Sequence, residues 1–65
     1  MMNSTNEIGL NKEMIDTLPV NLVIVVINGI RHLIRKEKIL EIGKVKHYNQ
    51  YEEQYFVPLK EFNLH

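Results

Sequence analysis

Apolar and polar residues divide the chain into a polar start, an apolar centre and a mixed second half. The centre, residues 18–27, is almost entirely apolar, and a basic run follows it as far as Lys38. No other segment is long and apolar enough to build a core alone. The fold must therefore be organised around the central stretch.

The preferred interpretation of this stretch is an amphipathic helix, either whole or broken near Gly29. At about 100° per residue, most polar side chains fall on one side of a helical wheel, and large apolar ones cover the rest. Thr17 can cap the start, and Pro19 is tolerated in a first helical turn. The basic residues that end at Lys38 would lie at the negative end of the helix dipole, which favours them.

A β-hairpin is the alternative interpretation of the same stretch. Residues 20–27 are rich in valine and isoleucine, whose branched side chains suit a pleated surface better than a helix. Asn28-Gly29 is a strong signal for a two-residue hairpin turn. The apolar pattern alone does not decide between the two interpretations.

Residues 44–59 predict a hairpin in the second half of the chain. Lys44–Tyr48 alternates in polarity, Asn49–Glu53 is polar and turn-like, and Gln54–Leu59 is rich in strand formers. Pro58 has no N–H, so it belongs at the edge or the end of a strand. Residues 60–62 can begin a final helical turn in which Phe62 closes the core.

These elements predict a small α+β domain over residues 8–65, preceded by a flexible tail over residues 1–7. N-terminal helices, the first over Leu10–Asp16, would precede one C-terminal two-stranded antiparallel hairpin, as in a winged helix. A small β-barrel with an N-terminal helix is the alternative. The predicted core consists of Leu22, Val23, Val26, Ile27, Ile30, Leu33, Ile34, Val45 and Phe56.

Composition limits what such a domain can be. A chain of 65 residues buries a small core, and without cysteine it has no disulfide or thiolate metal site. Self-association, most simply as a homodimer, is the remaining natural support. The three histidines are dispersed, and no nucleophile or phosphate-binding motif is present, so we expect no metal, no cofactor and no enzyme activity. No apolar run is long enough to span a bilayer, and a cytoplasmic location is expected.

Charge is distributed unevenly although the formal net charge is zero. Six of the eight lysines and arginines lie within residues 31–48. A basic helix followed by a basic hairpin is a typical way to contact duplex DNA, with the helix in the major groove and the hairpin tip on the backbone or in the minor groove. The candidate DNA-binding residues are Arg31, His32, Arg35, Lys36, Lys38, Lys44, Lys46, Tyr48, Asn49, Gln50 and Tyr51.

The segment from Ile30 to Leu64 resembles the second half of small winged-helix excisionase and MerR-like domains. The matching residues are Ile30, Leu33-Ile34, Ile39, Lys44-Val45, Tyr55-Phe56-Val57-Pro58-Leu59 and Glu61-Phe62. This resemblance implies a non-enzymatic protein that binds DNA and regulates recombination or transcription of a mobile element or phage.

Two other function classes stay open. Leu18-Pro19-Val20, Val26-Ile27-Asn28-Gly29-Ile30 and Tyr55-Phe56-Val57-Pro58-Leu59 look like the strand motifs of Sm-like and Hfq-like proteins. That resemblance implies an oligomer that binds RNA. The zero net charge and the long apolar run also fit a protein-binding inhibitor or adaptor without nucleic-acid contact, in which part of the run is an exposed partner surface.

Overall fold

Residues 6–62 are described by the computed structural model of this chain. They form five strands and two helices: β1 (Glu7–Asn11), α1 (Lys12–Thr17), β2 (Leu22–Ile27), β3 (Ile30–Arg35), α2 (Lys36–Ile42), β4 (Lys44–Asn49) and β5 (Glu52–Pro58). A short 3-10 helix, Leu59–Phe62, follows β5. All strand pairs are antiparallel.

The larger sheet has three strands in the order β1-β5-β4. Its central strand alternates as half-buried sheets do: Tyr55 and Val57 are buried on one side, whereas Gln54 and Phe56 lie on the other. β1 pairs with β5 so that Ile8 is opposite Val57 and joins the inner side. The hairpin expected from residues 44–59 is therefore confirmed, with a shorter turn than predicted.

β2 and β3 form a separate two-stranded hairpin, and the favoured helix over this region is wrong. Asn28 and Gly29 have φ angles of 53° and 80°, and Ile27 is paired with Ile30 across them. Left-handed backbone at both turn positions is the geometry of the tightest hairpin turn, which asparagine and glycine tolerate best. The branched side chains of β2 then lie on a pleated surface, where their restricted rotamers are no penalty. The hairpin alternative is the correct one.

One buried cluster lies between the inner sides of the two sheets. It contains Val25, Ile27 and Ile34 from the β2–β3 hairpin and Tyr55 and Val57 from β5. One side chain from each helical segment closes it: Ile15, Ile39 and Phe62. The outer sides of the two sheets therefore face away from a common core. The burial predicted for Phe62 is confirmed.

The predicted core is only partly correct. Ile27 and Ile34 are buried, and Val23 and Phe56 are half-buried. The other five predicted core residues are exposed: Leu22, Val26, Ile30, Leu33 and Val45. The first four were selected with a helical period, whereas a strand sends successive side chains to opposite sides. Val45 was expected on a strand, but every residue of β4 is exposed. Val25, which is not among the predicted core residues, is one of the most buried residues.

The predicted α+β arrangement is also wrong. Residues 6–62 are predominantly β, with 53% strand, and the first element among them is the strand β1 rather than a helix. α1 is a short helix of six residues that follows β1 directly. It is capped by Asn11, whose Oδ1 accepts a hydrogen bond of 2.9 Å from the backbone N–H of Met14. The barrel alternative is not observed either, because residues 6–62 form two separate sheets. Residues 1–5 of the expected tail lie outside the described residues, whereas Glu7, its last residue, already belongs to β1.

Candidate functional site

The side of the β2–β3 hairpin that faces away from the core is the most unusual surface of the described chain. We call it the outer hairpin face. Its paired positions are Leu22 with Arg35, Ile24 with Leu33, and Val26 with Arg31. The four apolar side chains are 50–63% exposed. A sheet of two strands normally turns polar residues to water on one side, so an apolar outer side indicates a contact surface.

Apolar surface continues beyond the open end of this face, where Val20 is exposed just before β2. Ile30 is also exposed beside the turn, but it pairs with Ile27 and belongs to the inner side of the hairpin. A shallow pocket of about 310 Å³ lies at the open end of the hairpin, where the backbone N–H of Lys36 donates to the carbonyl of Asn21 at 2.8 Å. It is lined by Leu18, Pro19, Val20, Asn21, Lys36, Glu37 and Leu40.

The charge on the outer hairpin face is entirely positive. Arg31 has no ion pair with another residue in the range 6–62. Arg35 lies 3.7 Å from Glu37, and both side chains are strongly exposed, so this pair contributes little. No carboxylate belongs to the six positions of the face. The arrangement offers a partner an apolar contact flanked by two exposed guanidinium groups.

The remaining predicted site residues lie elsewhere. Lys44 and Lys46 are on the outer side of the three-stranded sheet, which faces away from the core in another direction. The ammonium of Lys46 is 3.1 Å from a carboxylate oxygen of Glu7 and 5.0 Å from the centre of the Phe56 ring. The structure therefore does not bring these lysines together with Arg31 and Arg35.

Lys36 and Lys38 have structural partners. The Lys36 ammonium donates to the carbonyl oxygens of Asp16 at 3.2 Å and Leu18 at 3.1 Å, which ties α2 to the segment before β2. Lys38 lies within 4.0 Å of Glu41 and 3.9 Å of Glu61. These contacts explain both lysines without a ligand.

His32 points toward the core rather than to a ligand. Its ring meets the ring of Phe62 edge-on, with 5.8 Å between the centroids. Its Nε2 is buried without a hydrogen-bond partner among the described residues. His32 is thus part of the inner side of the hairpin.

The predicted wing tip is the exposed turn between β4 and β5. The Oδ1 of Asn49 accepts a hydrogen bond of 2.8 Å from the backbone N–H of Tyr51, and Tyr48, Gln50 and Tyr51 are exposed. A polar groove of about 640 Å³ lies beside it, lined by Asn11, Lys12, Glu13, Asp16, Thr17, Asn49, Tyr51, Glu52 and Glu53. Four carboxylates in this lining make the neighbourhood of the turn unfavourable for phosphate.

Lys12, Asp16 and Tyr55 form a cluster beside this groove. Their contacts shift the pKa of each group and hold α1 against the three-stranded sheet. The Tyr55 hydroxyl donates to Asp16 at 2.6 Å, and the Lys12 ammonium donates to the other oxygen of Asp16 at 2.6 Å. The hydrogen bond from Lys12, and next that from Tyr55, hold the pKa of Asp16 below its ordinary value. The same contacts with Asp16 raise the pKa of Lys12 and of Tyr55. The cluster is fully explained as a structural contact between two elements.

Residues 6–62 contain neither a metal-binding cluster nor a membrane-spanning helix. No group of three or more histidine, aspartate or glutamate side chains is placed to hold a metal ion. No helix in this range is both long and apolar enough to cross a membrane.

Sequence reasoning missed the outer hairpin face, although a signal for it was present. Once Asn28-Gly29 is taken as the turn, strict alternation sends Leu22, Ile24 and Val26 to one side and Val23, Val25 and Ile27 to the other. Both sides of β2 are then apolar, and a domain this small can cover only one of them.

No protein-family model, curated protein or solved structure matches the chain.

Proposed function

We propose that this domain is a non-enzymatic protein-binding module, of the inhibitor or adaptor class, that binds its partner through the outer hairpin face. The observation that carries the proposal is a sheet side with four large apolar side chains, each at least half exposed. Burying such a patch against a partner removes apolar surface from water, which is the main driving force of most protein association.

The two arginines describe the chemistry of the partner. Arg31 and Arg35 are four residues apart on one strand, so their Cα atoms are separated by about 13 Å. No acidic side chain shares their face. An apolar partner surface with carboxylates spaced to meet both guanidinium groups would be complementary in shape and charge.

Nucleic-acid binding remains a prediction that the structure does not favour. The basic residues lie in separate places, and most have carboxylate or carbonyl partners. A cytoplasmic site of action likewise remains a prediction.

The experiment compares two double variants with the wild type. Ile24→Thr with Leu33→Thr keeps good strand formers but removes apolar area from the face. Lys44→Glu with Lys46→Glu reverses the charge of the opposite surface and serves as the matched control. Affinity capture should recover a stoichiometric protein partner with the wild type and the lysine variant, and lose it with the threonine variant.

Hydrogen exchange in the complex then locates the contact. Protection confined to residues 22–35 supports the proposal. Equal capture by the threonine variant would overturn it. Wild-type binding to duplex DNA or single-stranded RNA in a mobility-shift series, abolished by the lysine variant, would instead favour the nucleic-acid functions.

A further inference from the structure

The free edge of β2 is a second feature of the hairpin, distinct from its outer face. Asn21 and Lys36 share a backbone hydrogen bond, and Ile27 and Ile30 flank the two-residue turn. Hydrogen-bonded pairs alternate along an antiparallel ladder. The backbone groups of the odd-numbered residues therefore point to β3, whereas those of Leu22, Ile24 and Val26 point away from it. No other strand within residues 6–62 pairs with β2.

This edge lacks the devices that usually protect an exposed strand. β4, an edge of the other sheet, carries Lys44 and Lys46 and has an irregular register between His47 and Asn49. β1, the opposite edge, is short and carries Glu7 and Gly9. β2 reads LVIVVI, with no charge, proline, glycine or bulge. An unprotected strand of this kind pairs with another strand.

We propose that β2 pairs antiparallel with β2 of a second copy, about a two-fold axis that passes beside Ile24. Leu22 then faces Val26 of the other copy, and Ile24 faces its own equivalent. In this register every outward N–H and carbonyl of the three residues finds a partner, because each pair exchanges both hydrogen bonds. The result is a four-stranded sheet in the order β3-β2-β2-β3.

Charge favours edge-to-edge pairing of two copies over stacking of their outer hairpin faces. β2 contains no charged residue, so edge pairing opposes no like charges. Stacking the two outer hairpin faces would bring arginines of both copies into one interface with no carboxylate on either face. Two-fold contacts of identical surfaces are also the commonest form of association.

The proposal does not rest on the proposed function, because it uses the edge of the hairpin rather than its outer face. The two are compatible: edge pairing places the two outer faces side by side on one continuous sheet. A partner protein would then meet an apolar strip with arginines on both borders.

Single cysteines test the register directly, because the chain contains none. In the proposed pair, the two Ile24 Cα atoms are about 5.5 Å apart, which a disulfide can span. Ile24→Cys should therefore form a covalent dimer under mild oxidation. The Cα atoms of Val26 and its equivalent would be about 13 Å apart, too far for a disulfide.

Three outcomes of the cysteine series are decisive. Self-linking of Ile24→Cys but not of Val26→Cys, together with cross-linking in a mixture of Leu22→Cys and Val26→Cys, supports the register. Equal linking of Leu33→Cys and Ile24→Cys would overturn it in favour of stacked faces. No linking above the level of Val26→Cys would overturn edge pairing.

Sedimentation equilibrium gives an independent reading. The wild type should show twice the chain mass of 7.7 kDa. Ile24→Pro removes the outward N–H and no hydrogen bond within the hairpin, so it should lose the dimer. Ile24→Thr also removes the isoleucine side chain but keeps the backbone N–H, so this control variant should remain dimeric.

Circular dichroism tests whether both Ile24 variants are folded. If the proline variant is unfolded, the cysteine series decides instead. A monomeric wild type would overturn the inference and leave the partner-binding proposal standing. If the wild type is a dimer but the variant Ile24→Thr with Leu33→Thr still captures the partner, edge pairing stands and the partner-binding proposal is overturned.

Discussion

The two hairpins of this domain each bury one side in the common core, but they differ in the side chains that they expose on the other side. β4–β5 joins a three-stranded sheet that buries Tyr55 and Val57 and turns lysines, glutamine and a half-covered Phe56 outward. β2–β3 buries one side equally well but turns leucine, isoleucine and valine outward. The outer side of β4–β5 is mostly polar and suits contact with water. The outer side of β2–β3 is apolar, and no other part of the described chain covers it. This contrast separates residues that hold the fold from residues available for contact.

The largest expected effect compares the same substitution in both regions. Val57→Ala empties a fully buried position in β5 and should lower the free energy of unfolding by about 2 kcal/mol. Val26→Ala, on the outer hairpin face, should change it by less than about 0.5 kcal/mol. Urea unfolding at low protein concentration measures both. Equal losses would mean that Val26 is covered within the monomer, which would break the comparison.

The next effect concerns the two turns. Gly29→Ala places a side chain at φ +80°, where nothing lies within 4 Å, so strain and not collision should lower stability by about 1–2 kcal/mol. Gln50→Ala in the β4–β5 turn, where no described residue has a left-handed backbone, should be nearly neutral. Thermal unfolding of the two variants decides this. A neutral Gly29→Ala would show that the turn relaxes into another type.

A gain in stability is expected on the inner side of the β2–β3 hairpin. His32→Phe replaces a buried, unpartnered Nε2 and retains ring contact with Phe62, so it should add about 1 kcal/mol. His47→Phe on exposed β4 is the control and should leave stability unchanged. If His32→Phe is destabilising in chemical unfolding, then Nε2 has a partner in solution.

The smallest effect is on the pH dependence of the three-stranded sheet. Because the pKa of Asp16 is lower in the folded state than its ordinary value of 3.8, its contribution is present above that value. It is lost as the pH falls through the folded-state pKa. Asp16→Asn should therefore flatten the acid side of a plot of melting temperature against pH, and Tyr55→Phe should flatten it partly. Unchanged acid curves in both variants would show that the cluster adds nothing.

Local signals in the sequence agreed with one another for the β4–β5 hairpin and conflicted for the β2–β3 hairpin. In residues 44–59, alternation, a polar turn and Pro58 agree with one another, and the structure follows them. In residues 18–38, the wheel of apolar residues and the Asn28-Gly29 turn disagree. An apolar run without polar alternation fits both a helix and a strand that is apolar on both sides, so only the turn residues distinguished them.

The candidate DNA-binding residues do not share one surface, for a related reason. Basic residues that are near in sequence, such as Arg35 and Lys44, are separated by α2 and placed on different sheets. Which side of each strand meets the core depends on register, and a shift of one residue exchanges the two sides. Exposed Leu33 and buried Ile34 are neighbours in the chain, and composition cannot tell them apart.

The pairing of β1 with β5 also affects the order in which the elements form during folding. Those strands lie near opposite ends of the described chain, and their contact requires closure of almost all of it, whereas each hairpin forms locally within microseconds. During synthesis at about 5–20 residues per second, β2 and β3 are available roughly one to five seconds before β5 emerges to cover their inner side. For that interval both sides of LVIVVI are open to water. Cotranslational capture by a chaperone or by a neighbouring nascent chain would act on this hairpin first.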